Sequence, residues 1–148
     1  MSTYQNLGYK KVFVSLDGSE QMPEVLDRAI TVAANNGAEL VVGHIVDTAS
    51  LDGAPVPEGY FEEREQKFLD AVAPQLDAAR ALDDIPEVTV LIEAGRIRET
   101  LKEKLVDVVK PDIVICGARG LSNIKYALLG SISTFLVRNC DCDVLVVK

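Results

Sequence analysis

Short apolar runs alternate with longer amphipathic segments along this chain, a pattern typical of βαβ units around a parallel sheet. Five of the runs are short and rich in β-branched residues, which predicts buried strands. The predicted strands are 12–16, 39–47, 88–93, 113–116 and 144–148. Apolar residues at helical spacing predict four helices, at about 20–36, 60–82, 97–109 and 132–139. The pattern therefore predicts one α/β domain over residues 1–148, with five parallel strands and no internal repeat.

Capping and helix-breaking residues mark several of these boundaries. Ser19 is expected to be the N-cap of the first helix, with Pro23 in its first turn, where a missing N–H costs little. Gly37 stands where a C-terminal cap belongs. Pro74 falls inside the second helix and is expected to kink or shorten it. The longest loop is predicted at 48–59, a stretch that holds two prolines and two glycines.

Composition excludes several classes of protein. The 148 residues are 48% apolar and 26% charged, a globular balance that excludes disordered and collagen-like chains. The formal net charge is −8, so nucleic acid or an anionic lipid surface would repel the chain unless a basic patch compensated, and none is evident. No apolar run approaches the roughly 20 residues of a membrane span, and residues 1–11 lack the apolar core of a signal peptide. Neither nucleic acid nor a membrane is an expected partner.

Cysteine and histidine usage narrows the chemistry further. Three cysteines, Cys116, Cys140 and Cys142, are an odd count that favours free thiols and a reducing, cytoplasmic location. His44 is the single histidine, so a His-rich metal site is excluded and any Ser-His-Asp triad would have to use it. A four-ligand zinc site would need all three thiols and His44 to converge. Buried free thiols are the favoured interpretation, with a packed or hydrogen-bonded role for His44.

Glycines and serines follow the fourth predicted strand in two clusters. Gly117-Ala118-Arg119-Gly120 continues directly from the strand, and Gly130-Ser131-Ile132-Ser133 opens the next helix. Glycines let backbone N–H groups approach a ligand closely, and a helix N-terminus adds unpaired N–H donors with a partial positive charge. Together these features predict an anion site suited to phosphate. Neither GxxxxGK[ST] nor GxGxxG occurs, and the alternative is a structural turn that binds nothing.

The spacing of these clusters resembles a known family. Gly117, Gly120, Gly130 and Ser131 match G-x2-G-x9-G-[ST], the phosphate-loop motif of the ATP-binding branch of the universal stress proteins. The resemblance covers nearly the whole chain, because three further stretches are similar to the family's strand ends and turns. These stretches are Asp17-Gly18-Ser19, His44-Ile45-Val46-Asp47 and Ala94-Gly95. The resemblance implies an open five-stranded parallel sheet of order 3-2-1-4-5 with helices on both faces, the adenine nucleotide alpha hydrolase-like fold.

That strand order implies a binding crevice. The carboxyl ends of strands one and four would be neighbours at the topological switch point, where open α/β sheets bind ligands. By the resemblance, Asp17 and the Ile45 backbone hold the adenine of ATP, AMP or ADP, with Ser15 and Leu16 beside it. Gly117 and Ala118 meet the ribose and α-phosphate. The phosphates are surrounded by Arg119, Gly120, Gly130, Ser131, Ile132 and Ser133. Mg²⁺ or Mn²⁺ is expected to bridge the phosphates with few protein ligands.

Several interpretations stay open at this point. Arg119 is equally well explained as a phosphate contact or as a solvated surface cation, and an Asp before Gly is also ordinary turn chemistry at Asp17. The acidic stretch 62–65 is interpreted as a solvated helix face. Relatives often carry Pro or Val at the position of Ser15 and Cys-Pro at 142–143, where this chain has Cys-Asp.

The resemblance implies a nucleotide-responsive stress sensor or regulator that acts on an unidentified protein partner. No catalytic base is identifiable, so slow ATP hydrolysis or autophosphorylation at Ser131 or Ser133 is the most enzymatic activity expected. The last strand, 144–147, would lie at the sheet edge and pair with its two-fold mate, which predicts a homodimer. The main alternative is a dimeric interaction module of the same fold that binds no nucleotide. An esterase or thiol enzyme that uses His44 or the cysteines is a third and remote alternative.

Overall fold

The predicted strands form one parallel sheet. In the computed structural model, which describes residues 8–119 and 130–148, the strands are β1 (Lys11–Ser15), β2 (Glu39–Asp47), β3 (Val88–Gly95), β4 (Ile113–Gly117) and β5 (Asp143–Val147). Their order is β3-β2-β1-β4-β5, and every neighbouring pair is parallel. The order implied by the family resemblance is therefore confirmed.

The strands are connected by helices at the predicted places. These are α1 (Met22–Asn36), α2 (Tyr60–Arg80), α3 and α4 (Ser131–Asn139), where α3 consists of Ile97–Thr100, a π-helical stretch Leu101–Val106 and Asp107–Val109. A short 3₁₀ turn, Ala49–Leu51, lies in the loop after β2. None of the helices in 8–119 and 130–148 is both long and apolar enough to cross a membrane.

The start of α1 differs from the expected one. Ser19 is not the N-cap: the helix begins at Met22, and Gln21 occupies the cap position without a side-chain capping bond. The reason is a turn at Asp17, whose Oδ1 accepts a hydrogen bond from the Ser19 N–H at 2.9 Å. Pro23 lies in the first turn as predicted, and Gly37 is the left-handed C-cap at φ 61°. This extra turn brings Gln21, and not Ser19, to the helix entrance.

Pro74 does not interrupt α2, which continues through it from Tyr60 to Arg80. The ring removes the N–H that would otherwise bond the carbonyl of Asp70. Both residues lie on an exposed face, where water can satisfy that carbonyl. Of the two expected effects, shortening at Pro74 was therefore wrong, and a kink there stays a prediction.

Each face of the sheet is covered by two helices. Val12 and Val14 of β1 pack with α1 and α2, whereas Phe13 between them packs with α3 and α4. All three are fully buried, as expected for a parallel sheet whose two faces are both covered. Because the crossovers on the two sides of β1 lie on opposite faces, the carboxyl ends of β1 and β4 open into a crevice.

Candidate functional site

A cleft of about 710 Å³ lies at the carboxyl edge of the sheet, over the ends of β1, β2 and β4. It is in the size range of small-molecule sites. Most of the residues predicted for the site line it: Ser15, Leu16, Asp17, Ile45, Gly117, Arg119, Gly130, Ser131, Ile132 and Ser133. The prediction for Gly120 concerns a residue outside the described ranges. The fold thus brings together residues that are far apart in sequence.

Ala118 is the predicted site residue that does not line the cleft. It is buried, its N–H donates to the Val147 carbonyl at 2.8 Å, and its carbonyl accepts from the Gly130 N–H at 2.6 Å. Its backbone therefore joins the end of β5 to the start of α4. This bridge fixes the two glycine-bearing segments relative to each other.

The start of α4 presents backbone donors that have no acceptor within the helix. Gly130 is the N-cap with extended backbone, and the first intrahelical bond runs from the Thr134 N–H to the Gly130 carbonyl at 3.1 Å. The N–H groups of Ser131, Ile132 and Ser133 consequently have no acceptor within the helix. A helix N-terminus of this kind attracts anions through these donors and its partial positive charge.

The two serines of this segment have different environments. Ser133 is 1% exposed, and its hydroxyl donates to the Gly130 carbonyl at 3.0 Å. The Ser133 hydroxyl proton is therefore engaged in an internal hydrogen bond. Ser131 is exposed at the cleft, so its hydroxyl is accessible to a ligand.

Arg119 lies at the mouth of the cleft with an exposed side chain. Within 8–119 and 130–148 one ion pair forms, between Lys102 and Asp107, so no carboxylate of those ranges pairs with the Arg119 guanidinium. Its backbone N–H donates to Oε1 of Gln21 at 3.2 Å. Sequence analysis missed Gln21, because nothing in its immediate neighbours signals a contact 98 residues away.

The opposite end of the cleft is built largely from apolar side chains beside the Asp17 carboxylate. Leu16, Ile45 and Phe68 are buried there, and Met22 and Ile97 complete the wall. Asp17 is half-buried beside them, with Oδ1 engaged by the Ser19 N–H. An apolar slot with one anchored acceptor is suited to a flat heterocycle that carries a hydrogen-bond donor.

His44 also lines this end and is packed as expected. Its ring stacks on Phe68 with centroids 4.1 Å apart and planes 3° from parallel, and Nδ1 lies 2.7 Å from the Leu16 carbonyl. Nδ1 therefore carries the proton and donates it to that carbonyl. Burial lowers the pKa of His44, although the Leu16 bond and the charge of Asp17 oppose this shift. The neutral ring is thus a structural part of the wall.

The face of α2 that closes the cleft was missed by sequence analysis. Glu62, Glu63 and Glu65 are exposed as predicted, but Arg64 and Lys67 line the cleft. The Arg64 guanidinium carbon lies 3.5 Å from the centroid of the Tyr60 ring, a cation–π contact. The available signal was helical spacing, since the lining positions 60, 64, 67, 68 and 71 share one helix face.

The cysteines are free thiols. Burial raises the pKa of Cys116, at the cleft floor, to about 12 and that of Cys140 to about 11. Thiols with pKa values this high are poor nucleophiles at neutral pH. In the part of the chain that the structure describes, no three His, Cys, Asp or Glu side chains group closely enough to hold a metal ion. The zinc site considered from the sequence therefore does not assemble from His44 and the three thiols.

This fold and cleft define an α/β protein with an anion-binding helix N-terminus beside an apolar slot, at the switch point of a parallel sheet. The model of the universal stress protein family matches residues 8–148. The chain belongs to that family.

Individual relatives agree with this assignment. A Staphylococcus saprophyticus protein named for the same family is 29% identical over 142 residues, which cover 96% of this chain and 85% of the relative. A universal stress protein solved in complex with cAMP is 27% identical, has a TM-score of 0.70, and covers 95% of this chain and 98% of its own. The universal stress protein UspA from Lactobacillus plantarum has a TM-score of 0.82 at 22% identity over 97% of this chain and all of its own, a likeness of fold.

Proposed function

We propose that this universal stress protein binds ATP, or AMP or ADP, in the cleft and acts as a nucleotide-responsive regulator. The carrying observation is the start of α4, where the N–H groups of Ser131, Ile132 and Ser133 have no helical acceptor and border the cleft. This donor set lies across the crevice from the apolar slot at Asp17 and Ile45. A site with an anion-binding end and an apolar end matches a nucleotide. The relative solved with cAMP supports an adenine nucleotide as the class of ligand.

The cleft residues divide naturally between the parts of such a ligand. Asp17 accepts from the exocyclic amino group of adenine, and Ile45 packs on the ring and offers its backbone. Gly117 leaves room for the ribose and α-phosphate, while the start of α4 and Arg119 bind the outer phosphates. Mg²⁺ or Mn²⁺ would neutralise phosphate charge when bound, and phosphate and water supply most ligands of such ions.

A regulatory role fits this site better than fast catalysis. Rapid phosphoryl transfer needs a group that orients the attacking nucleophile, in addition to a phosphate cradle. Of the candidate bases that border the cleft in the described ranges, His44 donates Nδ1–H to Leu16, Asp17 holds the Ser19 turn, and Asp47 Oδ1 accepts from the Ala49 N–H. We expect slow hydrolysis at most. Ser131 is the accessible hydroxyl for autophosphorylation, because Ser133 is buried.

The proposal includes a homodimer formed through β5. This strand lies at one edge of the sheet, and its central residues Val144, Leu145 and Val146 are half-buried apolar side chains. Strand edges of this kind pair with a second copy around a two-fold axis. Sedimentation at micromolar concentration is expected to give a dimer, and a strictly monomeric species would contradict it. The free thiols support a reducing, cytoplasmic location for this dimer and its protein partner.

One observation favours the alternative, an interaction module without a nucleotide. Hydrogen bonds within the chain hold the segments after β4 and before α4. The Ala118 N–H donates to the Val147 carbonyl, and the Gly130 N–H donates to the Ala118 carbonyl. These bonds hold the two segments without any ligand. Under this alternative the glycines serve the architecture alone.

Two measurements separate these functions. The protein is purified without added nucleotide and denatured, and the released small molecules are chromatographed. ATP with Mg²⁺ is then titrated into the protein and the heat is recorded. Released or titratable adenine nucleotide supports the proposal. The absence of both would overturn it in favour of the interaction module.

A further inference from the structure

The side chain of Gln21 connects three parts of the molecule at the cleft. It lies at the cap position of α1, where Nε2 donates to the Val147 carbonyl at 2.7 Å. Oε1 accepts from the Arg119 N–H at 3.2 Å. One carboxamide therefore joins the entrance of α1, the end of β5 and the segment that follows β4. Both of its polar ends are used.

The side chain of Gln21 lies against Gly117. A Cβ at position 117 would lie 2.5 Å from Oε1 of Gln21 and 3.1 Å from Cγ2 of Val25. Gly117 is not among the glycines with positive φ, so its backbone conformation is open to other residues. A larger residue would therefore have to displace the Gln21 carboxamide, the mobile end of a side chain. The first glycine of the phosphate-loop motif thus leaves room for this protein contact.

The same carboxamide shares an acceptor with the loop backbone. The Val147 carbonyl receives hydrogen bonds from the Ala118 N–H at 2.8 Å and from Gln21 Nε2 at 2.7 Å. The peptide between Ala118 and Arg119 is held at both of its polar groups, because its N–H donates to Gln21 Oε1 and its carbonyl accepts from the Gly130 N–H at 2.6 Å. Its orientation fixes where the Arg119 side chain leaves the backbone at the mouth of the cleft.

We propose that Gln21 is a positioning residue for the phosphate end of the cleft, which is formed by Arg119 and the start of α4. Its carboxamide holds the Arg119 peptide in the binding geometry and ties it to β5. This inference rests on the proposed nucleotide binding. A donor set that is ordered before the ligand arrives loses less entropy on binding, which raises affinity. Gln21 itself is not among the residues that line the cleft, so it acts through Arg119. Both hydrogen bonds of Gln21 lie outside the base end of the cleft, which is formed by Leu16, Asp17 and Ile45, so we expect adenosine binding to be independent of it.

The test compares two glutamines changed in the same way. Gln21→Met keeps the length of the side chain and removes both hydrogen bonds. Gln75→Met is the matched control, because the Gln75 amide also joins two elements, α2 to α1, by bonding the Pro23 carbonyl at 2.9 Å and Asp27 Oδ1 at 2.7 Å. Both glutamines are half-buried, and Gln75 is outside the cleft. The control thus measures the general cost of losing a bridging amide.

Calorimetric titrations with ATP–Mg²⁺ and with adenosine give the decisive readout. Gln21→Met is expected to weaken ATP binding by about threefold to tenfold, the effect of one or two hydrogen bonds, and to leave adenosine affinity unchanged. Gln75→Met is expected to leave both affinities unchanged. Wild-type ATP affinity in Gln21→Met, or equal losses for ATP and adenosine, would overturn the role of Gln21 alone. Absence of binding to the wild-type protein would overturn the proposed function and this inference with it.

A ligand-free measurement shows whether the effect passes through Arg119. Hydrogen exchange of the Arg119 amide, followed by NMR, is expected to be faster in Gln21→Met and unchanged in Gln75→Met. Gln21→Glu retains the acceptor for this amide, so it should restore most of its protection. Unchanged exchange in Gln21→Met would overturn the proposal even if stability fell.

A double-mutant cycle with Gly117→Ala tests the shared contact. The added methyl group is expected to displace the Gln21 carboxamide, the mobile end of a side chain, and so to weaken ATP binding as Gln21→Met does. If both changes act through the same contact, their effects on ATP affinity should not add. Full additivity would contradict the proposed link between Gly117 and Gln21.

Discussion

The two ends of the cleft differ in the groups that line them, side chains at one end and backbone at the other. At the base end, side chains define the surface: Leu16, Ile45 and Phe68 are buried, and Asp17 supplies one anchored carboxylate. At the phosphate end, the main chain supplies the donors, with N–H groups at the start of α4 and the glycine backbone at the end of β4. The base end offers an apolar surface and the Asp17 acceptor, whereas the phosphate end offers oriented backbone donors with a partial positive charge.

This difference teaches which substitutions each end tolerates. A surface made of side chains changes gradually when one of them is replaced, because its neighbours retain most of the contact. A surface made of backbone N–H groups is insensitive to many side-chain changes but is blocked when a Cβ is added where the ligand must approach. We therefore expect the largest losses from glycine substitutions at the phosphate end, and losses confined to base recognition at the other.

Gly130→Val is expected to have the largest effect. The extended backbone of Gly130 accepts any residue, but a branched side chain at the N-cap blocks phosphate from the N–H groups behind it. Loss of about two hydrogen bonds to a charged group predicts roughly a hundredfold weaker ATP binding by calorimetry, with little change in adenosine affinity. Thr134→Val is the control, since it places the same side chain one turn later in α4. Wild-type ATP affinity in Gly130→Val would contradict a backbone phosphate site.

Asp17→Ala sharpens the comparison from the base end. Removal of the acceptor should weaken ATP and adenosine by about tenfold each, the effect of one hydrogen bond in a closed slot, and leave inorganic triphosphate unaffected. Asp17→Asn keeps an oxygen for the Ser19 N–H and separates loss of the turn from loss of the charge. Equal losses for ATP and triphosphate would remove Asp17 from base recognition.

Arg119→Ala decides between a phosphate contact and a solvated cation. If the guanidinium binds phosphate, ATP affinity should fall about threefold to tenfold, and the difference from wild type should shrink at high salt. Adenosine affinity should not change. Arg138→Ala, at the exposed far end of α4, controls for the loss of one positive charge. Equal, small effects of both substitutions would show that the loop binds without this side chain.

The smallest expected effect is a pH dependence that belongs to the base end alone. Because the folded protein lowers the pKa of His44, the unfolded chain binds more protons at mildly acidic pH. The stability that neutral His44 contributes is complete above the ordinary pKa of about 6.5 and is lost as the pH falls through the folded-state pKa. In urea unfolding, wild type should lose more stability than His44→Gln between about pH 7.5 and about pH 5. Equal losses would mean that His44 does not carry this dependence.

Sequence patterns predicted the sheet well because its determinants are local. β-branched runs such as 113–116 fix the strands, and Gly37 ends α1 through a conformation that few other residues adopt. Strand order came from the family resemblance, since no local signal states which strands are neighbours. The residues proposed to bind phosphate were predicted because glycine spacing is visible in the sequence.

What escaped prediction depends on contacts between distant residues. Gln21 meets Arg119 and Val147 only after the sheet has formed, and an isolated Gln carries no signal of such a bridge. Ser19 was expected to cap α1, but its N–H donates to the Asp17 carboxylate in a turn that precedes the helix. Arg64 lies in the stretch interpreted as a solvated face, and neither it nor Lys67 was predicted to border the cleft, because the packing of α2 on the sheet brings them there.

NMR titration of the ¹⁵N-labelled protein tests the division of the cleft most directly. ATP–Mg²⁺ is predicted to shift the amides of Ser131, Ile132 and Ser133 together with those of Leu16 and Ile45. Inorganic triphosphate should shift the first set alone, and adenosine the second set alone. Shifts confined to residues outside the cleft, or none with any of the three ligands, would contradict a nucleotide site at this cleft.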